Sequence, residues 1–334
     1  MASKPAPVHT AKTATKKLSA EFTDLDLGDS WRDRRARSIV ADLMTPPDRS
    51  FPETWKNCNE LEAAYRFFGN PNGNPTALVN AHAAQTVAPI RGLTCPVVIA
   101  HDTTELEMPV YFEDKRRALL AYKSSRTQGF DMHSSIAVAL DDIGTPLGSL
   151  AGQPFIGKDQ VPDARTEKFW PDRGGLYVNE MQRWRDGILR CEALLLGADQ
   201  EVIHTGDREL GRYNMLAWMD DVELKFVVRA AVDQVRAKGK GKLRLKLPEG
   251  MADTPWAGTV KAMIARRSEK RSAKDSKTNP SRQAREAVLS FRAKTLTLAR
   301  SDRNPGRFWS SGPPLRSRAK GPTACTNIVL SPCG

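Results

Sequence analysis

The chain has 334 residues, a mass of 36.9 kDa and a formal net charge of +12. This length is enough for two domains with a sizeable core, and 40% hydrophobic residues argue against a disordered chain. The longest apolar runs, Val97–Ala100 and Ala193–Leu196, are far shorter than the about 20 residues that a membrane helix needs. Residues 1–20 lack the apolar stretch of a secretory signal, and the five cysteines form no CxxC pair. We therefore expect a cytoplasmic protein with reduced thiols, and neither a zinc ribbon nor a disulfide framework.

Positive charge is concentrated in the last hundred residues. Residues 1–235 carry 28 basic and 33 acidic residues, whereas residues 236–334 carry 23 basic and 6 acidic residues. Much of this charge lies in Arg236–Lys246 and Arg266–Lys277. Such blocks favour a polyanionic partner, because each Lys or Arg that meets a phosphate releases a condensed counterion. On charge alone, a solvated basic loop or tail is the alternative.

The first 92 residues are predicted to form a basic arm followed by helices. Residues 1–23, rich in Ala, Lys and Thr, are expected to be a disordered basic arm. In Trp31–Met44 an apolar stripe lies opposite a set of arginines, and two prolines end the helix. Glu60–Phe68 predicts a second helix, and a third is expected from Thr76, as its N-cap, to about Val87.

From 93 to 235 the pattern alternates between strands and helices. Pro96–Asp102 is an almost wholly apolar run of strand length that ends in an acid, and Glu201–Gly206 is a second such run, followed by Asp207. The other predicted elements are the hairpin strands His133–Leu140 and Leu147–Ile156, the helices Glu180–Leu196 and Glu209–Met219, and the strand Leu224–Ala230.

The two predicted strands that lead into Asp102 and Asp207 suggest a shared site. If these strands are parallel neighbours, both carboxylates emerge at the same sheet edge, where α/β sheets place their sites. Two close carboxylates repel each other unless a proton or a divalent cation lies between them, and Mg²⁺ prefers oxygen ligands of this kind. Two such ions can clamp the attacking and leaving oxygens of a phosphoryl transfer, as in ribonuclease-H-like nucleases and transposases. A turn or cap role is the alternative for either Asp taken alone.

The chain beyond residue 235 has a different character. Lys238–Lys242 is a flexible basic link, and Arg244–Lys246 and Val288–Leu298 alternate enough to be strands. Residues 305–334 contain no acid but five Pro, four Gly and four Ser, and they show no periodicity. We therefore expect this tail to be irregular.

Several stretches, in this chain order, resemble the DDE transposases of bacterial cut-and-paste elements, specifically the Tn-five-type, insertion-sequence-four-like group. The similarity covers roughly residues 24 to 304. The stretches that carry it are Leu27-Gly28-Asp29 with Arg34-Arg35, Glu62-Ala63-Ala64-Tyr65-Arg66-Phe67-Phe68, Asp102-Thr103-Thr104-Glu105-Leu106, Gly206-Asp207-Arg208-Glu209 and Phe226-Val227-Val228-Arg229.

The resemblance implies an α/β fold in three parts. These are a helical DNA-end-binding domain over 24–92, a ribonuclease-H-like mixed-sheet core over 93–235, and an incomplete β-rich insertion over 236–304. It also implies that Asp102 and Asp207 are catalytic and hold Mg²⁺ or Mn²⁺. The partners would be double-stranded DNA with transposon terminal repeats and, on paired ends, a second copy of the chain. The resemblance implies that the protein is located in the bacterial cytoplasm, at the nucleoid.

The resemblance also suggests roles for further side chains. Expected DNA contacts are Arg32, Arg34, Arg35, Arg37, Arg66, Arg208 and Arg229, and expected supporting residues are Thr103, Thr104, Glu209 and His133. The alternative for the first helix is a solvated face, and for Arg208 and Glu209 it is a salt-bridged helix start. Alternation along the strand turns His101 away from Asp102, so that His101 is expected to be structural, and His204 is expected to be buried.

One part of the family pattern is missing. The family needs a third acid, a Glu in a helix with the pattern Tyr-x₂-Arg-x₃-Glu-x₆-Lys, and the last tyrosine here is Tyr213. Only Glu269 and Glu286 follow Glu249. We therefore expect a catalytically incomplete transposase, either truncated or frameshifted, and in the second case residues 305–334 are read out of frame. A non-catalytic DNA-binding remnant or inhibitor, and a nuclease of the same fold, are the alternatives.

Overall fold

The structure of the protein, a computed structural model, divides into two compact units, Met1–Thr205 and Gly206–Gly334, and each is described by itself. The residues that it describes are 21–44, 49–55, 57–70, 72–109, 121–122, 127–155, 180–230, 235–240, 243–266, 281–299 and 325–330.

Three α-helices open the first unit. They are α1 (Ser30–Leu43), α2 (Cys58–Phe68) and α3 (Pro75–Ile90), with a single 3₁₀ turn, Pro52–Thr54, between the first two. All three are capped by side chains, since the carboxylate or amide oxygens of Asp29, Asn57 and Asn74 accept main-chain N–H groups of the first turn. The predicted N-cap of the third helix, Thr76, is wrong. Asn74 takes that position because Pro75 suits the first helical residue.

Two apolar clusters hold these helices together. Phe22, Leu25 and Leu27, which precede α1, pack on Ala36. One turn further along α1, Ile39 packs with Trp55, which precedes α2, and with Ala64 of α2. The apolar stripe predicted for the first helix is therefore its buried face.

Four strands with one helix follow, and the first half of β5 completes the unit. The elements are β1 (Val97–Pro109), β2 (Ala121–Tyr122), β3 (Thr127–Ala139), β4 (Pro146–Phe155), α4 (Glu180–Leu194) and β5 (Val202–Gly211). The strand order is β2-β3-β1-β5, with β4 on β3, and β1, β2 and β4 all pair antiparallel with β3.

β1 and β5 run parallel, which makes the sheet mixed. The Val97 N–H donates to Glu201 O at 2.8 Å, and further along both strands His101 contacts His204. Contacts that advance together along two strands require a common direction. The predicted α/β class with a mixed sheet is confirmed, and a ribonuclease-H-like fold stays a prediction.

Both acid-bearing strands are longer than predicted. β1 continues from Asp102 to Pro109 because its pairing with β3 extends down to Thr127. β5 continues from Asp207 to Gly211, and the following helix starts at Tyr213 rather than at Glu209. The two acids therefore lie within strands and not at their ends.

The core of the first unit lies between the sheet and two helices. Ile90 of α3, Ile99 of β1, Leu150 of β4 and Cys191 of α4 are all fully buried there. This packing explains why β1 is apolar on the face that carries Val97 and Ile99. In the described part of the chain, no helix combines the length and the apolar character that crossing a membrane requires.

The second unit is rich in short strands. After the end of β5 it contains α5 (Tyr213–Asp221), β6 (Phe226–Ala230), β7 (Arg236–Lys238), β8 (Arg244–Lys246), α6 (Leu247–Gly250), β9 (Gly258–Ile264), β10 (Arg285–Leu296), β11 (Leu298–Ala299) and β12 (Cys325–Leu330). Three strands form the sheet β11-β7-β8, and three others form the sheet β12-β10-β9. The strands predicted at Arg244–Lys246 and within Val288–Leu298 are confirmed.

The prediction of an irregular tail is wrong for six of its residues. Cys325–Leu330 is a strand that pairs antiparallel with β10, from Phe291↔Leu330 to Leu296↔Cys325. The run Thr-Asn-Ile-Val-Leu within it is rich in β-branched residues, which favour strands although the rest of the tail is rich in Gly and Pro. Residues 300–324 and 331–334, like 1–20, lie outside the described residues.

Candidate nucleic-acid interface and acidic strand positions

The predicted arginines of α1 do not share one environment. Arg32, Arg35 and Arg37 are partly buried, and each donates to a main-chain carbonyl outside its own helix. The donor–acceptor distances are 2.9 Å from Arg32 Nη1 to Asn72 O, 2.7 Å from Arg35 Nη2 to Glu60 O, and 3.0 Å from Arg37 Nη1 to Thr23 O. These bonds tie α1 to α2 and to the chain on either side. The three guanidinium groups therefore stabilise the arrangement of the helices.

Arg34 is the exposed member of the set. Its guanidinium carbon lies 4.5 Å from the ring centroid of Trp31, which is 75% exposed, and its Nε donates to Ser30 O at 3.2 Å. A cation over an aromatic face is attracted by the ring quadrupole. Sequence analysis missed Trp31, although an aromatic residue three positions before Arg on the polar side of a helix is a recognisable signal.

Arg66 lies on the exposed side of α2. It forms an i,i+4 ion pair with Glu62, and both side chains are largely exposed. The two aromatic residues beside it differ in burial. Phe67 packs on the apolar clusters, whereas Tyr65 is 54% exposed and contacts the ring of Phe51.

Asp102 is an exposed residue of β1, opposite Ser134 of β3. Its Oδ1 accepts the N–H of Thr103 at 2.9 Å, which orients the carboxylate. Thr103 is partly buried, and among the described residues its Oγ1 has no hydrogen-bond partner. Thr104 is exposed like Asp102, as the alternation of side chains requires.

Asp207, Arg208 and Glu209 are exposed residues of β5 in the second unit. Asp207 Oδ1 accepts the N–H of Glu209 at 2.8 Å. The alternative of a salt-bridged helix start is wrong for Arg208 and Glu209, because both are strand residues. Arg229 is an exposed residue of β6, whose main chain passes so close to Gly211 that a Cβ there would overlap Arg229 O.

The buried face of the sheet carries a chain of polar side chains. His101 of β1, His133 and Ser135 of β3, and His204 of β5 are at most 2% exposed. His101 Nδ1 lies 2.9 Å from Ser135 Oγ, and His101 Nε2 lies 2.9 Å from His204 Nδ1. His204 Nε2 in turn lies 3.0 Å from Glu192 Oε1 of α4. The predictions that His204 is buried and that His101 faces away from Asp102 are confirmed, whereas their direct contact was missed.

Burial favours the neutral form of His101, His133 and the nearby Cys191. Burial lowers the pKa of His101 well below its usual value, and the neighbouring His204 and His133 add to the effect. Burial and then the charge of Arg183 lower the pKa of His133 to about 4. Burial also raises the pKa of the Cys191 thiol to about 12. None of these side chains is exposed enough to meet a phosphate, so His133, an expected supporting residue, can act only from the buried face.

The acids have the chemistry that a hard cation requires. Asp102 and Asp207 are exposed carboxylates, and each uses Oδ1 to accept a nearby main-chain N–H. Mg²⁺ is often held by one or two carboxylates together with waters and substrate phosphates. Within the described ranges, no group of three or more His, Cys, Asp or Glu side chains is arranged to hold a metal ion. Each acid is thus of the donor type that Mg²⁺ or Mn²⁺ prefers.

The two late glutamates differ in what the structure shows. Glu286 lies on β10, opposite Met263, and its Oε1 is 3.1 Å from Lys261 Nζ in an exposed ion pair. Glu269 lies outside the described residues.

Comparison with known families gives one match. Residues 15–72 match the family model described as transposase DNA-binding. The match contains α1 and α2 and therefore Trp31, Arg34 and Arg66, and it ends before Asp102. A comparison with curated proteins found no match. The matched segment supports a transposase with DNA as a partner.

Proposed function

We propose that the chain is a transposase of the DDE, Tn-five-like type that binds duplex DNA carrying terminal repeats. The observation that carries the DNA contact is the exposed pair of Trp31 and Arg34, inside the segment that matches the transposase DNA-binding family. Because Arg32, Arg35 and Arg37 are engaged with main-chain carbonyls, Arg34 is the side chain of α1 best placed to meet a phosphate.

The pair has the properties of a prearranged phosphate contact. Stacking on Trp31 and the bond to Ser30 O limit the rotamers of Arg34, so that less entropy is lost when it binds. The indole ring of Trp31 offers an apolar surface beside the charge, suited to a sugar or an unstacked base. The basic strands of the second unit, such as Arg244–Lys246, supply further positive charge for the DNA backbone.

The proposed chemistry is metal-dependent phosphoryl transfer, with Asp102 and Asp207 as two of its acids. We expect it to be incomplete in this chain, because the third acid of the resembled family is missing from the sequence. Each acid is an exposed strand residue whose Oδ1 accepts a nearby main-chain N–H, and carboxylates of this kind are the ligands that Mg²⁺ prefers. The carboxylates would hold Mg²⁺ or Mn²⁺, which supplies charge neutralisation at the scissile phosphate. Water then attacks phosphorus, and the departing 3′ oxygen leaves as the P–O bond breaks. In a later transfer that 3′ hydroxyl would attack a phosphorus of target DNA and displace the 3′ oxygen of the target strand, in a dimer that holds two ends.

The DNA contact is tested by fluorescence anisotropy with a duplex that contains the inverted repeat flanking the gene. Affinity for wild-type protein should fall steeply with salt, and Arg34→Ala should reduce the slope of log K against log salt by about 1. Trp31→Ala should weaken binding without changing that slope. Arg91→Ala is the matched control, since Arg91 is exposed and lies outside the matched segment. An Arg34→Ala protein that binds as the wild type does would contradict the role of α1.

The chemistry is tested with the same duplex, labelled at its 5′ ends, in the presence of Mg²⁺ or Mn²⁺. Metal-dependent strand cleavage that is lost in Asp102→Asn and in Asp207→Asn would support the assignment. Binding without cleavage under every metal would show a DNA-binding protein without catalysis. Cleavage that survives both substitutions would place the chemistry elsewhere.

A further inference from the structure

The buried face of the first unit contains a continuous line of hydrogen-bonding groups. It runs from Glu192 through His204, His101 and Ser135 to His133, and it joins α4 to the three central strands. Glu192 is 38% exposed, whereas the other members are buried. Only one end of the line therefore reaches solvent.

The carboxylate at that end determines the direction of the protons. A carboxylate only accepts, so His204 donates to it through Nε2. In the arrangement with one proton on each ring, the Nδ1 of His204 is then an acceptor. His101 then donates through Nε2 to His204, and its own Nδ1 accepts the hydroxyl proton of Ser135. His133 lies at the far end, with Nε2 3.5 Å from Ser135 Oγ and, among the described residues, no partner for Nδ1. One acid thus sets one tautomer in His204 and one in His101.

The same line lies beneath Asp102. His101 is the preceding residue, and both of its ring nitrogens are engaged, which fixes its rotamer and its place between β3 and β5. On β3, His133 and Ser135 flank Ser134, the residue that pairs with Asp102. The residues next to Asp102 on β1 and next to Ser134 on β3 are therefore fixed by hydrogen bonds on the buried face of the sheet.

We propose that Glu192 sets the tautomers of His204 and His101, and that the ordered chain makes them positioning residues for Asp102. The inference rests on the proposed function only for the chemical role of Asp102. A merely space-filling set of histidines would pack the same volume without a defined proton order, because ring stacking tolerates either tautomer. His101 and His204 stack at 5.1 Å and 24°, and His101 and His133 at 5.6 Å and 13°.

The test is nuclear magnetic resonance of the full chain, without DNA or metal. Nitrogen-15 spectra of the imidazole rings should show Nε2–H tautomers for both His101 and His204. Glu192→Leu should give a mixture of tautomers, and Glu192→Gln should restore the wild-type pattern because its amide oxygen also accepts from Nε2. Asp199→Asn, which removes an exposed charge just after α4, is the matched control and should change neither ring.

The positioning role is read from residual dipolar couplings of the N–H groups of residues 102–104. They should shift in Glu192→Leu and return in Glu192→Gln. A second pair of variants covers the case in which Glu192→Leu fails to fold. His204→Gln can span both neighbours and should keep the couplings, whereas His204→Asn is too short and should change them.

Opposite tautomers, or a doubly protonated His204, would overturn the proton order. Unchanged couplings at Asp102 in both Glu192→Leu and His204→Asn would overturn the positioning role. The proposed function is decided separately, by metal-dependent cleavage in Asp102→Asn. That substitution leaves the buried line intact.

Discussion

Gly187 of α4 lies directly against the ring of His133 on β3, and a Cβ added at Gly187 would overlap Nε2 and Cδ2 of that ring. A Gly→Ala change inside a helix ordinarily stabilises by about 1 kcal/mol. At Gly187 the opposite sign is expected, because neither the buried ring nor Trp184 beside it, at 5.0 Å between centroids, has room to move.

We expect Gly187→Ala to lower the free energy of unfolding by about 1–3 kcal/mol, the usual cost of overpacking a core. Urea denaturation of the full chain measures it. In the double variant Gly187→Ala with His133→Ala, the overlap is removed and the effect of the new methyl group should largely vanish. A stabilised single variant would show that α4 does not pack on this ring.

The pH dependence of stability should report His133. Its pKa is lowered from the usual 6.5 to about 4 in the folded chain, so folding favours the neutral ring. Between pH 6.5 and 4 the unfolded chain binds the proton more readily, and stability must fall as the pH is lowered. The stabilisation is fully present above pH 6.5, and its loss towards pH 4 is of order 3 kcal/mol.

His133→Asn should therefore flatten the acid side of the stability profile relative to the wild type. Chemical denaturation at several values of pH between 4 and 7.5 provides the measurement. Identical slopes for the two proteins would mean that His133 does not titrate with folding.

Substitutions of two arginines of α1 should affect different properties: Arg35→Ala the stability of the fold, and Arg34→Ala the binding of DNA. Arg35→Ala removes the side-chain donor that ties α1 to Glu60 O, together with a partly buried group, so we expect a loss of about 1–3 kcal/mol in unfolding free energy. Arg34→Ala removes an exposed side chain and should change stability by less than about 0.5 kcal/mol while weakening DNA binding. Thermal unfolding and anisotropy on the same two proteins check this division. A stable Arg35→Ala protein would contradict it.

Two strand glycines offer a matched pair. A Cβ at Gly129 of β3 would overlap Leu106 O of β1, whereas within the described residues a Cβ at Gly152 of β4 would meet no atom within 4 Å. Gly129→Ala should therefore destabilise the first unit by more than about 1 kcal/mol through displacement of the β1–β3 ladder. Gly152→Ala should be neutral or slightly stabilising. Equal effects in a denaturant titration would argue against the close approach at Gly129.

Sequence periodicity located the longer helices and the main strands of the first unit, but it missed β9 and β12. It placed His101 on the face opposite Asp102, since alternation depends only on neighbouring residues. It stopped β1 at Asp102 because a charged residue after an apolar run resembles an end. The pairing that extends the strand comes from β3, about 30 residues later in the chain.

The candidate site was harder to predict from the sequence than the secondary structure. The four arginines of α1 form one group by composition, but the carbonyls that engage Arg32, Arg35 and Arg37 belong to other segments of the main chain. A main-chain acceptor has no residue signature, so only the fold separates Arg34 from the rest. The contact between His101 and His204 depends likewise on the pairing of β1 with β5, which no local pattern encodes.

That pairing has a consequence for the synthesis of the chain. β1 can pair with β5 only after Glu201, the partner of Val97, has been synthesised about a hundred residues later. Its pairing with β3 needs only a few tens of further residues. At about 5–20 residues per second, the edge of β1 that β5 will cover stays open for roughly 5–20 s on the ribosome. An open edge of this kind accepts strands from other chains, so the nascent protein is the species most exposed to mispairing. How much of the protein a cell obtains therefore depends on how well β1 is shielded during those seconds.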